Sequence, residues 1–102
     1  MKRGEVYWVN LDPTVGSEAK KRRPAVILSP DEMNRSLPVV IVAPITSSKK
    51  SWPTRADVTL SGKAGQIMLD QIRTVDKSRL MKRIAEVEIV EALDALQITF
   101  SP

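Results

Sequence analysis

The sequence predicts a mainly β fold with some α: a small, barrel-like antiparallel sheet with a helix packed on it at the C-terminal end. Three observations carry this. Over the first two thirds of the chain, short runs rich in β-branched and aromatic residues are separated by Pro, Gly, Asp and Ser turn signals. Two of those runs, Ala25-Val26-Ile27-Leu28 and Val39-Val40-Ile41-Val42-Ala43, are near-continuously apolar, as strands buried on both faces must be. After Glu88 the apolar residues fall instead at Ile89, Ala92, Leu93 and Leu96, with Glu91, Asp94 and Gln97 between them, which is helical spacing.

In order, the first strand runs from Gly4 to Leu11 through Val6-Tyr7-Trp8-Val9 and stops at Asp12-Pro13. A polar loop follows, to Arg23. The second strand is Pro24 to Ser29, closed by Pro30-Asp31. Pro38 opens the third, which runs into Pro44-Ile45-Thr46-Ser47. Thr46 to Pro53 is a second polar loop, with Lys49, Lys50 and Trp52. Arg55 to Leu60 alternates as a half-buried strand should. Ser61 to Gly65 reads as a turn, and Gln66 to Val75 as the longest strand. Asp76 is placed to cap a single turn over Lys77-Ser78-Arg79, and Arg83 to Val87 reads as one more short strand before the helix. There is no repeat and no composition break, so residues 1–102 read as a single domain.

Composition removes several kinds of chemistry. The chain has no cysteine, hence no disulfide framework, thiolate nucleophile or cysteine-based zinc site. It has no histidine either, the commonest general acid/base and metal ligand. No metal site and no cofactor are expected. No apolar run is long enough to span a bilayer and the N-terminus has no signal-peptide pattern, so a reducing cytoplasm is the expected location. The net charge of +4 is uneven: residues 1–55 hold ten Lys/Arg against five Asp/Glu, residues 56–102 six against seven. The basic half carries the footprint expected for a polyanion.

That footprint is sharpest at Lys20-Lys21-Arg22-Arg23, which ends at Pro24 against the second strand. Proline fixes its own φ and biases the residue before it toward extended backbone. Arg23 is therefore held on a rigid element. Its guanidinium, always charged and forked, matches phosphate geometry.

The order of segments resembles the MazF/PemK family of toxins. The resemblance rests on Arg3-Gly4-Glu5-Val6-Tyr7-Trp8-Val9, Leu11-Asp12-Pro13-Thr14, Gly16-Ser17-Glu18, Arg23-Pro24-Ala25-Val26, Ala43-Pro44-Ile45-Thr46-Ser47 and Asp70-Gln71-Ile72-Arg73-Thr74, and covers nearly the whole chain. It implies an SH3-like barrel with a C-terminal helix and homodimeric assembly. It also implies metal-independent, sequence-selective cleavage of single-stranded RNA, held in check by a cognate acidic, MazE-like antitoxin. Arg23 and Thr46 match the family's catalytic pair, and Glu18 matches a loop glutamate that affects activity. Many members read Gly-Ser-Glu-Gln-Gly-Gly before the arginine, where this chain has Ala19-Lys20-Lys21-Arg22, a stiffer and more basic loop. In another branch a histidine and an arginine complete a site with the aspartate; here those positions are Ser17 and Met68, and only Asp70 remains.

In such a site the RNA's own 2′-OH attacks the adjacent phosphate. Arg23 would stabilise charge on the phosphoryl oxygens or act as general acid, and Thr46 would donate a hydrogen bond. Glu18 or a water would take the proton. Lys20, Lys21, Arg22, Ser47, Lys49 and Lys50 would position phosphates without reading sequence. Trp8 and Trp52 could stack on unpaired bases, Trp52 in its basic loop being the better candidate. Trp8 reads first as core or dimer interface, and Asp70 and Gln71 as accessory or structural. A CcdB-like toxin that binds DNA gyrase without catalysis is the competing expectation, and a plain RNA-binding SH3-like module a third.

Overall fold

The computed structural model describes residues 1–19 and 21–102. Among them, seven strands and two helices follow one another: β1 (Glu5–Asn10), β2 (Arg22–Ile27), α1 (Asp31–Ser36), β3 (Val39–Thr46), β4 (Arg55–Leu60), β5 (Lys63–Met68), β6 (Arg73–Asp76), β7 (Leu80–Glu86) and α2 (Val90–Thr99). Single 3-10 turns lie at Leu69–Gln71 and Lys77–Arg79. The strands form one curled antiparallel sheet in the order β4-β5-β3-β2-β1-β7, with β6 also on β3.

Strand β3 is the pivot. Its residues Val39 to Val42 pair with β6, Val42 to Pro44 with β2, and Ile45 and Thr46 with β5. Each partner takes a different stretch, so the sheet bends around β3. Both faces of the central strands are buried, as their continuous apolar sequence requires. Val26, Leu28, Ala43 and Ile45 join Ala92 and Ala95 of α2 in one core cluster. Ala25, Ile27, Val40 and Val42 join Val9, Leu11 and Val75 in a second, on the other face. Each fully buried aliphatic side chain contributes about 1.5–3 kcal/mol, so two clusters are enough to hold a chain of this size.

Three expectations are corrected. Residues 66–75 are not one strand. Ile45 faces Ile67 while Val42 faces Arg73, so three residues of β3 span six of the partner. The surplus is taken up by the 3-10 turn Leu69–Gln71, which keeps Leu69 fully buried and lets Asp70 leave the sheet. The turn at 61–65 is shorter than expected, because β5 already begins at Lys63. A helix, α1, occupies 31–36, where only a turn at Pro30-Asp31 is expected. Asp31 and Glu32 in its first turn and Arg35 in its last suit the helix dipole. Its Asn34 is buried and exchanges hydrogen bonds with the Ser29 hydroxyl and carbonyl, a contact no local sequence rule signals. The 76–79 turn is as expected, with the Asp76 side chain accepting from the Ser78 amide.

Candidate active site

The β2–β3 ladder ends at Ala25 opposite Pro44. Extending that register by two residues sets Arg23 opposite Thr46, just beyond the last paired residues of the two strands, where the other edge of β3 pairs with β5. The side chains of the two residues line one open cleft of about 520 Å³, together with Ser47. Arg23 is part of β2 and sits across from Val9 of β1, so its backbone is held by the sheet. Thr46 is half-buried. Its Oγ1 accepts a hydrogen bond from the Ser48 amide (3.1 Å), which fixes the side chain and leaves its own hydroxyl hydrogen to donate elsewhere.

The rest of the cleft adds two more side chains. Lys63, which the sequence places in a turn, contributes a second cation. Trp8, read first as core or dimer interface and second as a base-stacking residue, is 37% exposed and forms part of the wall. Ala64 and Gly65 line the cleft as well. A β-carbon on Gly65 would stand 2.8 Å from the Thr46 carbonyl oxygen, so β5 approaches Thr46 as closely as it does only because residue 65 is glycine. Among the described residues no carboxylate lines the cleft. Two cations, two hydroxyls and no acid favour an anionic ligand.

The loop after Thr46 is held from below. Buried Gln66 accepts from the Lys50 amide and donates to the Lys50 carbonyl, both at 2.9 Å, and also reaches Asp57. The Trp52 ring has the Arg55 guanidinium 4.8 Å from its centroid and the Lys50 ammonium at 5.7 Å. Arg55 is in turn gripped by Asp70, with Nε–Oδ1 at 2.7 Å and Nη2–Oδ2 at 3.3 Å. Asp70 therefore belongs to the scaffold of this loop, through Arg55.

The loop before β2 is anchored as thoroughly. Arg73 donates to the Leu11 carbonyl, and Arg79 to the carbonyls of Asn10 and Asp12. Asp12 accepts from the Lys21 amide, which helps hold Lys21 at φ 66°, a left-handed conformation unusual outside glycine. Gln71 accepts from the Ala19 amide and donates to the Ser17 carbonyl. Glu18 accepts from the Val15 amide at 2.6 Å. Glu18, Asp70 and Gln71 line a neighbouring cleft of about 340 Å³, not the one with Arg23 and Thr46. The structure thus brings together Arg23, Thr46 and Ser47 and sets Glu18, Asp70 and Gln71 apart from them. Lys21, Lys49 and Lys50 are exposed on the two loops, and Arg22 is exposed at the start of β2. Lys20 lies outside the described residues.

A third groove, between β4 and the start of α2, has the opposite charge, with Asp57, Glu86, Glu88 and Glu91 and, among the described residues, no cation on its lining. It would repel a phosphate. Among the described residues no cluster of three His, Cys, Asp or Glu could hold a metal ion, and no helix is long and apolar enough to cross a membrane.

Fold and site together define a class: a small curled β-sheet protein with a C-terminal helix and an anion-accepting cleft between two basic loops. The chain belongs to the family of PemK-like, MazF-like toxins of type II toxin-antitoxin systems, whose model matches residues 2–99. It is 38% identical over 110 residues to the endoribonuclease EndoA of Bacillus subtilis, covering 99% of this chain and 95% of that one. It is also 38% identical to the endoribonuclease MazF of Staphylococcus saprophyticus, covering 97% and 90%. The crystal structure of MazF from Deinococcus radiodurans superimposes with a TM-score of 0.83 at 28% identity, over 97% of this chain and 94% of that chain. A MazE–MazF complex from the same organism matches with a TM-score of 0.73 at 29% identity, over the same shares.

Proposed function

We propose that this chain, acting as a single domain, is a metal-independent endoribonuclease toxin. It cuts single-stranded RNA, mRNA included, at a short sequence and thereby inhibits translation and growth. The observation that carries the reading is the juxtaposition of Arg23 and Thr46 in a carboxylate-free cleft between two basic loops. The 2′-OH attacks the adjacent phosphorus and the bond to the 5′-oxygen breaks, giving a 2′,3′-cyclic phosphate and a 5′-hydroxyl. Arg23 stabilises charge growing on the phosphoryl oxygens, an effect worth about 10²–10³-fold in rate by analogy with a lost oxyanion donor. Thr46 donates a hydrogen bond to one of them. A water accepts the 2′-OH proton, and a proton from water passes to the leaving 5′-oxygen as its bond to phosphorus breaks. Glu18 supports the site at one remove, because its carboxylate closes the Val15–Glu18 turn. Lys21, Arg22, Ser47, Lys49 and Lys50, together with Lys20, the residue before Lys21 in the sequence, hold backbone phosphates.

The partners follow from the same charge. An acidic antitoxin segment, disordered until bound, covers the basic loops and excludes RNA. The MazE–MazF complex of the Deinococcus relative supports the existence of an antitoxin partner. A homodimer in the cytoplasm is the proposed working form. Family membership favours an RNA-cleaving toxin over a gyrase-binding one.

The test is incubation with a long single-stranded RNA in excess EDTA, with Arg23→Ala in parallel and fragment ends identified. Discrete cuts by the wild type alone, with cyclic-phosphate ends, support the reading. A folded wild type that cuts nothing, or full activity in Arg23→Ala, refutes it.

A further inference from the structure

Trp8 is out of keeping with its strand. Val6 and Val9 of β1 are fully buried, yet Trp8, the largest side chain on the strand, is 37% exposed. Burying an indole is strongly favourable, so an exposed one on a rigid strand points to a ligand or a partner subunit that covers it, and its place in the cleft with Arg23 favours the ligand. Trp8 sits across from Pro24, next to Arg23 along β2, and lines the Arg23–Thr46 cleft. Ala64 and Gly65 line the same cleft and take up little of it, leaving about 520 Å³, within the range of small-ligand sites. Lys63 adds a cation there. Trp52, the other tryptophan, already has Arg55 and Lys50 against its ring.

We propose that Trp8 is the stacking platform for one unpaired nucleobase adjoining the phosphate held by Arg23, with Lys63 flanking the same nucleotide. The inference rests on the ribonuclease reading above and adds to it a subsite that fixes one nucleotide beside the scissile bond. Every base has a π-face, so Trp8 sets which position is gripped, and the edges of the cleft set which base is preferred. Trp8 is thus a positioning residue for the scissile phosphate and touches the base itself.

The experiment begins with the wild type, whose cut site is mapped on a long RNA. A 2′-O-methyl oligonucleotide of that sequence, which cannot react, serves as the binding probe. In a Trp52→Phe background Trp8 is the sole tryptophan, and its fluorescence is expected to change as the oligonucleotide saturates. Trp8→Ala should weaken binding roughly 5–150-fold, the equivalent of about 1–3 kcal/mol of stacking at about 1.4 kcal/mol per decade. Trp8→Phe should keep most of the affinity. An abasic residue at one position next to the cut should weaken binding to the wild type by a similar factor and leave Trp8→Ala almost unaffected, a coupling that a purely structural tryptophan would not show. If the wild type cuts RNA but Trp8 fluorescence is indifferent to the oligonucleotide, or no abasic position couples to Trp8, the assignment is overturned. It is equally overturned if Trp8→Ala acts by dissociating a dimer. A wild type that cuts no RNA overturns the ribonuclease reading itself.

Discussion

Replacing Gly65 with alanine tests whether Thr46 is placed by the strand beside it. The added Cβ would stand 2.8 Å from the Thr46 carbonyl oxygen and 3.6 Å from Cγ2 of Ile45, whereas ordinary contacts begin at 3.4 Å. The neighbour is backbone, so no side chain can swing away, and β5 and the end of β3 must part by about half an ångström. Such overpacking costs about 1–3 kcal/mol. For a domain of this size each kcal/mol lowers Tm by roughly 4–8 °C, so a fall of at least about 4 °C is expected. Thr46 moves with its carbonyl. A misplacement of about 1 Å can cost 10²-fold in rate, so half of that predicts a loss of about tenfold. The assay is single-turnover cleavage of a mapped RNA alongside a thermal melt. A Gly65→Ala protein with unchanged Tm and unchanged rate would refute the reasoning, since it would mean that the close approach neither exists nor positions Thr46.

Asp70→Ala should lower stability by about 1–3 kcal/mol, above the usual value for a surface pair, because Arg55 is only 7% exposed and loses its partner; urea unfolding reads this, and a change within 0.5 kcal/mol would count against the Asp70–Arg55 scaffold. Glu18→Gln retains an acceptor for the Val15 amide and should keep cleavage within about threefold, whereas a loss of 10² or more would make Glu18 the general base. Thr46→Val removes the hydroxyl at nearly constant shape and should slow cleavage about 10–100-fold, by analogy with other lost hydrogen-bond donors, with RNA binding little changed. Burial alone would raise the Glu5 pKa, but the Lys2 amide and the Arg83 guanidinium outweigh it and hold the carboxyl below its ordinary value. Its folded pKa is depressed, so its contribution is present above the unfolded value near about 4.3 and is lost as pH falls through the lower folded one. The wild type should therefore lose more Tm than Glu5→Gln between neutral pH and acid, and parallel curves would contradict this.

The central strands were legible because an apolar run buried on both faces has no other reading, and α2 because its period is helical. The break at Leu69–Gln71 was not. A strand with a three-residue surplus keeps the same composition, and only its two registers on β3 reveal it. Arg23 and Thr46 could be picked out by family resemblance, but their meeting depends on the β2–β3 register, which is fixed by pairing. Lys63 carried no local signal, and Trp8 only that of an aromatic side chain able to stack on a base. A lysine in a Gly-rich turn and a tryptophan in an apolar strand are ordinary residues until folding sets them in one cleft.

By itself the sequence determined the class of fold, the absence of histidine and thiol chemistry, the basic half of the chain and the rigid seat of Arg23 before Pro24. These follow from side-chain chemistry and local backbone preference, which act over a few residues. The family resemblance already paired Arg23 with Thr46; the tertiary structure alone decided which other groups share their cleft, with Lys63 and Trp8 in it and Glu18 and Asp70 apart from it. Proximity between residues far apart in the chain is set by strand register and sheet curvature, and those are properties of the whole packed sheet.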